Sequence, residues 1–313
     1  MSIQSDSFLC GWRVRSEIPL MELLPWPATE AAVDVQIGLG QVPPFTGATT
    51  SHGRFTLNGA GHCRIEIPGI ATFLVREGRE IVIDLLVDPD SLELRNYLFG
   101  TVLGFLCHQR GVFPLHGSCL RLGESAVIFS GNSGAGKSAL AATFAVRGYT
   151  LLADDVCVLS EGDGGWVVWP AFPRVKLKSA AHRAIFGVEP ERESPSLLGK
   201  HHFRFEPVRS FCVKPVPLAA IYFLEKAPLG ESESIAEVPG LRRLAMLQNQ
   251  IFRCRAGFLL GRGPALFAST SRIASVVSIR RLCRSLDFAR MDATIAMLEA
   301  AHRVPASSVS LEV

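Results

Sequence analysis

Long hydrophobic runs are missing from this sequence: no stretch of eighteen apolar residues occurs, so no membrane-spanning helix is predicted. A charge excess is missing as well. Lysine and arginine number 32 against 29 aspartates and glutamates, and a net charge of +3 gives no electrostatic reason to expect nucleic acid as a partner. We therefore expect neither a membrane nor nucleic acid among the partners.

Paired cysteines are also absent. The eight cysteines are scattered singly without a C-x-x-C pair, which argues against a zinc site and a disulfide framework and fits a reducing compartment. Residues 1–6 lack a basic segment followed by an apolar core, so no secretory signal is expected. Both observations predict a cytoplasmic protein.

The sequence does contain enough apolar material for a large core. Hydrophobic residues make up 48% of the 313 residues and charged residues 19%, which is typical of a globular protein with one or two domains. Residues 1–88 carry short apolar runs separated by glycine and proline, and these predict strands at 54–57, 63–67, 71–75 and 81–87. We interpret 1–88 as a small antiparallel domain that packs on, or recognises a peptide for, an α/β domain at 89–313.

A helix is predicted at the start of this second domain. Asp88 and Pro89 form a typical helix start, and apolar residues then recur at helical spacing up to Gly111. The pattern predicts a helix over 89–110 that lies on the sheet of the second domain.

The most informative stretch is a glycine-rich segment between an apolar run and a run of helix formers. Residues 131–138 read G-N-S-G-A-G-K-S, which matches the phosphate-loop pattern G-x-x-x-x-G-K-S. The apolar run 126–129 suits a buried strand, and 138–145 suits a helix. Such glycines let backbone N–H groups point at phosphate oxygens, to which the helix N-terminus adds partial positive charge.

This pattern predicts ATP and Mg²⁺ as cofactors. Lys137 would reach the terminal phosphates, and the Ser138 hydroxyl would hold Mg²⁺. The predicted nucleotide-binding residues are Gly131, Asn132, Ser133, Gly134, Ala135, Gly136, Lys137, Ser138 and Ala139.

Two adjacent carboxylates follow one helix later. The apolar run 151–153 leads into Asp154 and Asp155, as in a strand that delivers acids to the open edge of a parallel sheet. Adjacent residues of an extended chain point to opposite faces, so one acid could hold Mg²⁺ while the other takes a proton from an attacking hydroxyl. His116 precedes the loop in an apolar run; alone it would be interpreted as a core histidine, but the phosphate loop after it favours a functional role.

The remaining sequence gives weaker signals. Residues 189–210 are rich in charge with little periodicity and predict a long exposed loop, in which His201 and His202 have no partner at metal-ligand spacing. Further strands are predicted at 166–169, 174–177, 218–224 and 276–279, and helices at 180–186, 240–252 and 287–303.

Three pieces together resemble the kinase domain of HPr kinase/phosphorylase: His116-Gly117-Ser118, the loop 131–138, and Ala153-Asp154-Asp155. The resemblance covers about residues 113–190 and implies a kinase core of the P-loop type. It implies that Asp155 deprotonates a serine hydroxyl, that His116 assists it, and that Lys137 neutralises the transferring phosphoryl group. Ser138 and Asp154 would bind the metal.

One stretch departs from that family. Residues 171–176 read A-F-P-R-V-K where the family has a carboxylate that binds a second metal ion and contributes to phosphorolysis. The sequence gives no basis for either property here. The sequence resembles the HPr-kinase-like lasso-peptide kinases more closely. The likeness lies in overall length, in the β-rich first part and in the Leu-His-Gly-Ser and Asp-Asp pieces. In that group the acceptor is a serine near the C-terminus of a precursor peptide, whose negative end a basic residue such as Arg174, Lys176 or Arg204 could receive.

We therefore predict an ATP-dependent serine kinase that acts on a peptide or small protein, with a homo-oligomer as a further expectation from the resemblance. Two alternatives stay open: a small-molecule kinase that uses the same loop, and a nucleotide-binding regulator without turnover.

Overall fold

The chain forms a mixed α/β fold with two large sheets. The structure, a computed structural model, describes residues 5–27, 30–189, 200–204, 213–228 and 232–303, of which 200–204 are described by their backbone only. It divides into two compact units, residues 1–114 with 251–268 and residues 115–250 with 269–313. This division differs from the predicted domains 1–88 and 89–313, because the helical segment after residue 88 belongs to the first unit.

A nine-stranded sheet forms the first unit. Its strands are β1 (Ser5–Leu9), β2 (Trp12–Ser16), β3 (Leu24–Pro25), β4 (Val35–Leu39), β5 (Thr49–His52), β6 (Phe55–Asn58), β7 (Cys63–Ile67), β8 (Ala71–Arg76) and β9 (Glu80–Leu85). They are ordered β3-β1-β2-β4-β9-β8-β7-β6-β5. β4 pairs in parallel with β2 and β9, and the other pairs are antiparallel.

The four strands predicted in this unit are confirmed, but the small antiparallel sheet is not. Five earlier strands join it and make it larger and mixed. The sequence did not predict them because several lack the alternation of apolar and polar residues that is typical of a strand. One example is β5, which reads T-T-S-H and is exposed along its whole length.

A helical segment follows β9, composed of α1 (Leu92–Tyr97), a π-helical turn (Leu98–Val102) and α2 (Leu103–Arg110). Ser91 rather than Asp88 caps it, since its hydroxyl accepts the Leu94 N–H at 3.1 Å. Gly111 ends it at φ +79°, as predicted.

The segment was predicted to lie on the sheet of the second domain, but it belongs to the first unit and contacts the sheet of that unit. The Gln109 side chain donates to the carbonyl oxygens of Gly61 and Val75 and accepts the Gly78 N–H at 2.9 Å. The prediction failed because an amphipathic pattern shows that a helix has an apolar face but not which sheet that face contacts.

The elements after α2 are β10 (Phe113–Leu122), β11 (Ser125–Ser130), α3 (Lys137–Val146), β12 (Leu151–Gly162), β13 (Gly165–Trp169), β14 (Arg174–Lys178), α4 (Ser179–Phe186), β15 (Lys200–Arg204), β16 (Val216–Lys226), β17 (Ser234–Glu237), α5 (Gly240–Gln248), α6 (Cys254–Leu259), α7 (Gly263–Val276), β18 (Ser278–Arg284), a 3-10 turn (Phe288–Arg290) and α8 (Met291–Ala301). The predicted strands and helices of this part are all present, with shifts of a few residues at their ends. β17, α6 and α7 were not predicted.

The second unit contains a seven-stranded sheet in the order β11-β10-β12-β13-β16-β18-β17, in which β11 also pairs with β16. β16 is parallel to β11 and β18, whereas β10–β11, β12–β13, β13–β16 and β17–β18 are antiparallel. The sheet is therefore mixed and not the parallel sheet that the acid pair led us to expect.

α3 is anchored in the core of this unit. Its buried Leu140, Ala141 and Phe144 belong to one apolar cluster with residues of β11, β14 and α8. The Phe129 and Phe144 rings are stacked with their centroids 6.1 Å apart, and each such buried aromatic side chain stabilises the fold by roughly 1.5–3 kcal/mol. This packing fixes the helix start next to the end of β11.

The predicted loop 189–210 lies largely outside the described residues. Its segment 200–204, with His201 and His202, is not loop but β15, which pairs antiparallel with β14. Among the described residues, no helix has the length and apolarity that crossing a membrane requires. The described side chains include no group of three or more histidines, cysteines or carboxylates that could hold a metal ion.

Candidate functional site

The glycine-rich segment connects β11 directly to α3 and contains three left-handed glycines. Gly131, Gly134 and Gly136 have φ values of +128°, +87° and +86°, which side chains other than glycine rarely tolerate. A Cβ on Gly131 would lie 3.0 Å from the carbonyl oxygen of Leu224 on the neighbouring strand. The predicted strand–loop–helix unit is therefore present, and glycine is needed here for both conformation and space.

The helix start offers backbone donors at this loop. In an α-helix the N–H groups of the first turn point out of its N-terminal end, and the N-cap of α3, Gly136, has no side chain that could accept from them. Asn132, Ser133 and Gly134 are exposed, whereas Ala135 and Ala139 pack against the core. A helix N-terminus of this kind favours an anion.

The Lys137 side chain folds back over the loop. It is only 8% exposed, and its Nζ donates to the carbonyl oxygens of Gly131 at 2.8 Å and Asn132 at 3.1 Å. The ammonium group is therefore held against the backbone of the loop itself.

The Asp154 side chain connects α3 to β10 and β14. Its Oδ1 accepts hydrogen bonds from the hydroxyls of Ser138 at 2.9 Å and Ser118 at 2.6 Å, and its Oδ2 accepts the Lys176 N–H at 3.0 Å. The carboxyl group is 8% exposed, and burial, followed by the nearby charge of Asp155, raises its pKa, whereas its three hydrogen bonds oppose that rise.

Asp155 lies beside it with a more exposed carboxylate. Its side chain is 30% exposed; Oδ2 accepts from Nζ of Lys176 at 2.8 Å, and Oδ1 is 3.6 Å from Nδ1 of His116. Nδ1 of His116 is 3.0 Å from the Asp155 carbonyl oxygen, which can only accept, so Nδ1 carries the proton of the neutral ring. Burial and the charge of Lys137 lower the pKa of His116, which favours that neutral form.

The backbone at the acid pair differs from the sequence expectation in two ways. β12 does not end at the acids but continues to Gly162, and Asp155 has φ +80°. The extended alternation is therefore broken, and both carboxylates reach the same residue, Lys176, one through its backbone N–H and one through its ammonium group. A left-handed non-glycine residue is strained, and such strain is common at functional sites.

The sequence did not predict that two further residues contact the acid pair. Ser118 contacts Asp154 from β10, the neighbour of β12 in the sheet, whereas Lys176 contacts the acids from β14, which forms a separate two-stranded sheet with β15 and lies against β12. Arg174, a candidate for binding a peptide's negative end, is 3% exposed with its guanidinium 5.0 Å from the Phe172 ring, so it is not presented to a partner. The Arg204 side chain lies outside what the structure describes.

The oxygen donors suit a magnesium ion. Ser138 supplies a hydroxyl and Asp154 a carboxylate oxygen, the hard ligands that Mg²⁺ takes in combination with phosphate oxygens and water. One or two protein oxygens are sufficient for such a site, so the lack of a larger ligand cluster among the described residues does not conflict with it.

No protein-family model and no curated protein sequence matches the chain. Among solved structures it is similar to the HPr(Ser) kinase/phosphatase from Coxiella burnetii, at 15% sequence identity and a TM-score of 0.32 over 61% of this chain and 96% of that chain. A TM-score of this size carries no argument about function. The interpretation of the site therefore depends on its own residues.

Proposed function

We propose that the protein is an ATP- and Mg²⁺-dependent kinase that transfers the γ-phosphoryl group to a serine hydroxyl of a peptide or small protein. One observation carries this proposal: the carboxylate of Asp154 is hydrogen-bonded to Ser138 of the glycine loop, while the adjacent carboxylate of Asp155 stays partly exposed. The proposed metal ligand and the proposed proton acceptor would then be consecutive residues. A protein that only bound nucleotide would have no need for the second acid.

The loop would bind and orient the triphosphate. N–H groups at the start of α3 and the Lys137 ammonium would hold the phosphate oxygens, and Ser138 with Asp154 would hold Mg²⁺. When bound, Mg²⁺ neutralises charge on the β- and γ-phosphates. Catalysis would consist mainly of positioning and charge stabilisation, because little covalent chemistry by the protein is needed in phosphoryl transfer.

Asp155 would take the proton of the acceptor. The serine oxygen forms a bond to the γ-phosphorus, the bond from that phosphorus to the bridging oxygen of ADP breaks, and the hydroxyl proton moves to the Asp155 carboxylate. Lys176 orients this carboxylate through its Oδ2, and His116 holds the same residue through its backbone carbonyl oxygen. His116 in its neutral form stays a hydrogen-bond donor to the Asp155 backbone.

For the acceptor we propose a serine near the C-terminus of a ribosomally synthesised, lasso-type precursor peptide. Its support is the sequence resemblance alone. Among the basic residues considered for the peptide's negative end, Lys176 remains a candidate, since its ammonium is 15% exposed beside Asp155. A cytoplasmic location and a homo-oligomer remain predictions of the sequence.

Mass spectrometry of a candidate precursor peptide, incubated with the protein, ATP and Mg²⁺, tests the proposal. A mass increase of one phosphate on a serine is expected, and Lys137→Met serves as the inactive control. Phosphorylation of hydroxylated metabolites, with none on peptides, would instead establish a small-molecule kinase. ATP binding without transfer to any acceptor in either panel would contradict the kinase proposal and favour a regulator.

A further inference from the structure

A buried arginine lies directly behind the glycine loop. Arg284, the last residue of β18, is 2% exposed. Its Nη2 donates to the carbonyl oxygens of Ala135 at 3.3 Å and Gly136 at 3.2 Å, and its Nη1 donates to the Ser285 carbonyl at 3.0 Å. No part of the sequence pattern pointed to this residue.

The two loop contacts fix the direction of two amide groups. In a trans peptide the C=O and the following N–H point to opposite sides. Because Arg284 holds the carbonyls of Ala135 and Gly136 on one side, the N–H groups of Gly136 and Lys137 point away from it. These N–H groups are at the start of α3, where the proposed phosphate would bind.

The charge of Arg284 is poorly compensated within the fold. Among the described residues no carboxylate lies within ion-pair distance of its guanidinium, and its buried Nε makes no hydrogen bond. Burial lowers the pKa of Arg284, and the charge of Glu233 opposes this only in part. A guanidinium that donates to a carbonyl also polarises the attached amide, which makes its N–H a stronger donor. An anion on the far side of these amides would offset the buried charge.

The fit between Arg284 and the loop is close. A Cβ on Gly136 would overlap with Nη2 of Arg284, whereas a Cβ on Gly134, which has nearly the same φ, would meet no atom within 4 Å. Alanine at 136 would therefore displace the Arg284 guanidinium from the loop, in addition to straining the backbone at φ +86°.

We propose that Arg284 is a positioning residue for phosphate binding, which aligns and polarises the Gly136 and Lys137 amides from behind the loop. This inference rests on the nucleotide-binding part of the proposed function. It makes Arg284 a determinant of affinity for the phosphate chain and not for the base or for the acceptor.

Isothermal titration calorimetry with ATP, AMP and inorganic tripolyphosphate tests the inference on wild type, Arg284→Met and Arg284→Lys. Arg284→Met should weaken ATP and tripolyphosphate binding by about 10- to 100-fold, the loss expected for charged hydrogen bonds, and AMP binding by much less. Arg284→Lys should recover part of this loss. Arg290→Met is the matched control, since Arg290 is half exposed, lies 3.8 Å from Glu233, and should leave all three affinities unchanged.

Two results would overturn the inference: ATP affinity within twofold of wild type in Arg284→Met, or an equal loss for ATP and AMP, as a purely structural role predicts. If the methionine variant does not fold, Arg284→Lys decides, since unchanged ATP and tripolyphosphate affinities in that variant would equally contradict it. Failure of the wild type to bind any of the three ligands would refute the proposed function itself.

Discussion

Replacing Asp155 by asparagine tests the proposed role of this residue as proton acceptor while its backbone conformation and its hydrogen bond to Lys176 are kept. Asparagine is similar in shape and tolerates the left-handed conformation at φ +80°, whereas alanine would add roughly 1–2 kcal/mol of backbone strain. Its side-chain oxygen can still accept the hydrogen bond from Lys176. The variant therefore removes the charge and the basicity with little change in geometry.

The effect of this change on stability should be small because two contributions oppose each other. The ion pair with Lys176 is lost, but its side chains are 15% and 30% exposed, so screening limits its contribution to about 1 kcal/mol or less. At the same time Asp154 is relieved of a neighbouring charge that raises its pKa. The free energy of unfolding should change by no more than about 1 kcal/mol.

The effect on catalysis should be much larger. Loss of a general base slows proton transfer by about 10²- to 10⁴-fold. Single-turnover transfer of the phosphoryl group from ATP to the acceptor peptide should slow by the same factor. ATP affinity measured by calorimetry should stay within about twofold, because the proposed phosphate and metal ligands are the loop, Lys137, Ser138 and Asp154, whereas the Asp155 carboxylate accepts from Lys176. Asp163→Asn, in the exposed turn between β12 and β13, is the control with an equal charge change.

A transfer rate close to wild type in Asp155→Asn would refute the assignment of Asp155 as the base. A rate that falls only in proportion to ATP affinity would refute it too, because the residue would then act in nucleotide binding. Asp155→Gly, which also accepts a positive φ, should be as slow as the asparagine variant.

Three further predictions concern the loop and Asp154. Lys137→Met should reduce transfer by about 10²-fold or more in the same single-turnover assay, because it removes the ammonium that the loop positions. Gly136→Ala should lower the free energy of unfolding more than Gly134→Ala, since only the former overlaps with Arg284; equal losses by chemical denaturation would contradict this. The raised pKa of Asp154 means that the folded protein binds this proton more tightly than the unfolded one, so the contribution of this group to stability without Mg²⁺ should fall as pH rises from about 3.8 through its raised pKa. Asp154→Asn should lack this fall, which denaturation midpoints across the pH range would show.

Local patterns were sufficient where a feature depends on neighbours along the chain. The strand–loop–helix unit at 125–146 and the helix end at Gly111 were both predicted, since glycine conformation and apolar runs are encoded within a few residues. The mixture of helices and strands in an α/β fold was predicted from the same signals. The acids Asp154 and Asp155 were also found, although the argument that they face opposite ways fails at φ +80°.

Features that depend on strand pairing could not be predicted in this way. Lys176 reaches Asp155 because β14 lies near β12, and Arg284 reaches the loop from the end of β18, which is parallel to β16. Neither position differs in sequence from an ordinary basic residue of a strand. The helical segment at 92–110 shows the same limit, since its apolar face fits either sheet by composition.

The contacts of the site divide its residues into two kinds. Arg284 donates to loop carbonyls that point away from the proposed phosphate position. Asp154 accepts from the hydroxyls of Ser138 and Ser118. Both residues can keep these hydrogen bonds when a nucleotide binds. Lys137 donates to two loop carbonyls and must exchange at least one of them to reach a phosphate oxygen. Substitutions of the first kind should therefore alter the protein with or without nucleotide, whereas a substitution at Lys137 should act mainly on the nucleotide-bound state. This difference follows from where the hydrogen-bond partners of each side chain lie and not from its distance to the phosphates.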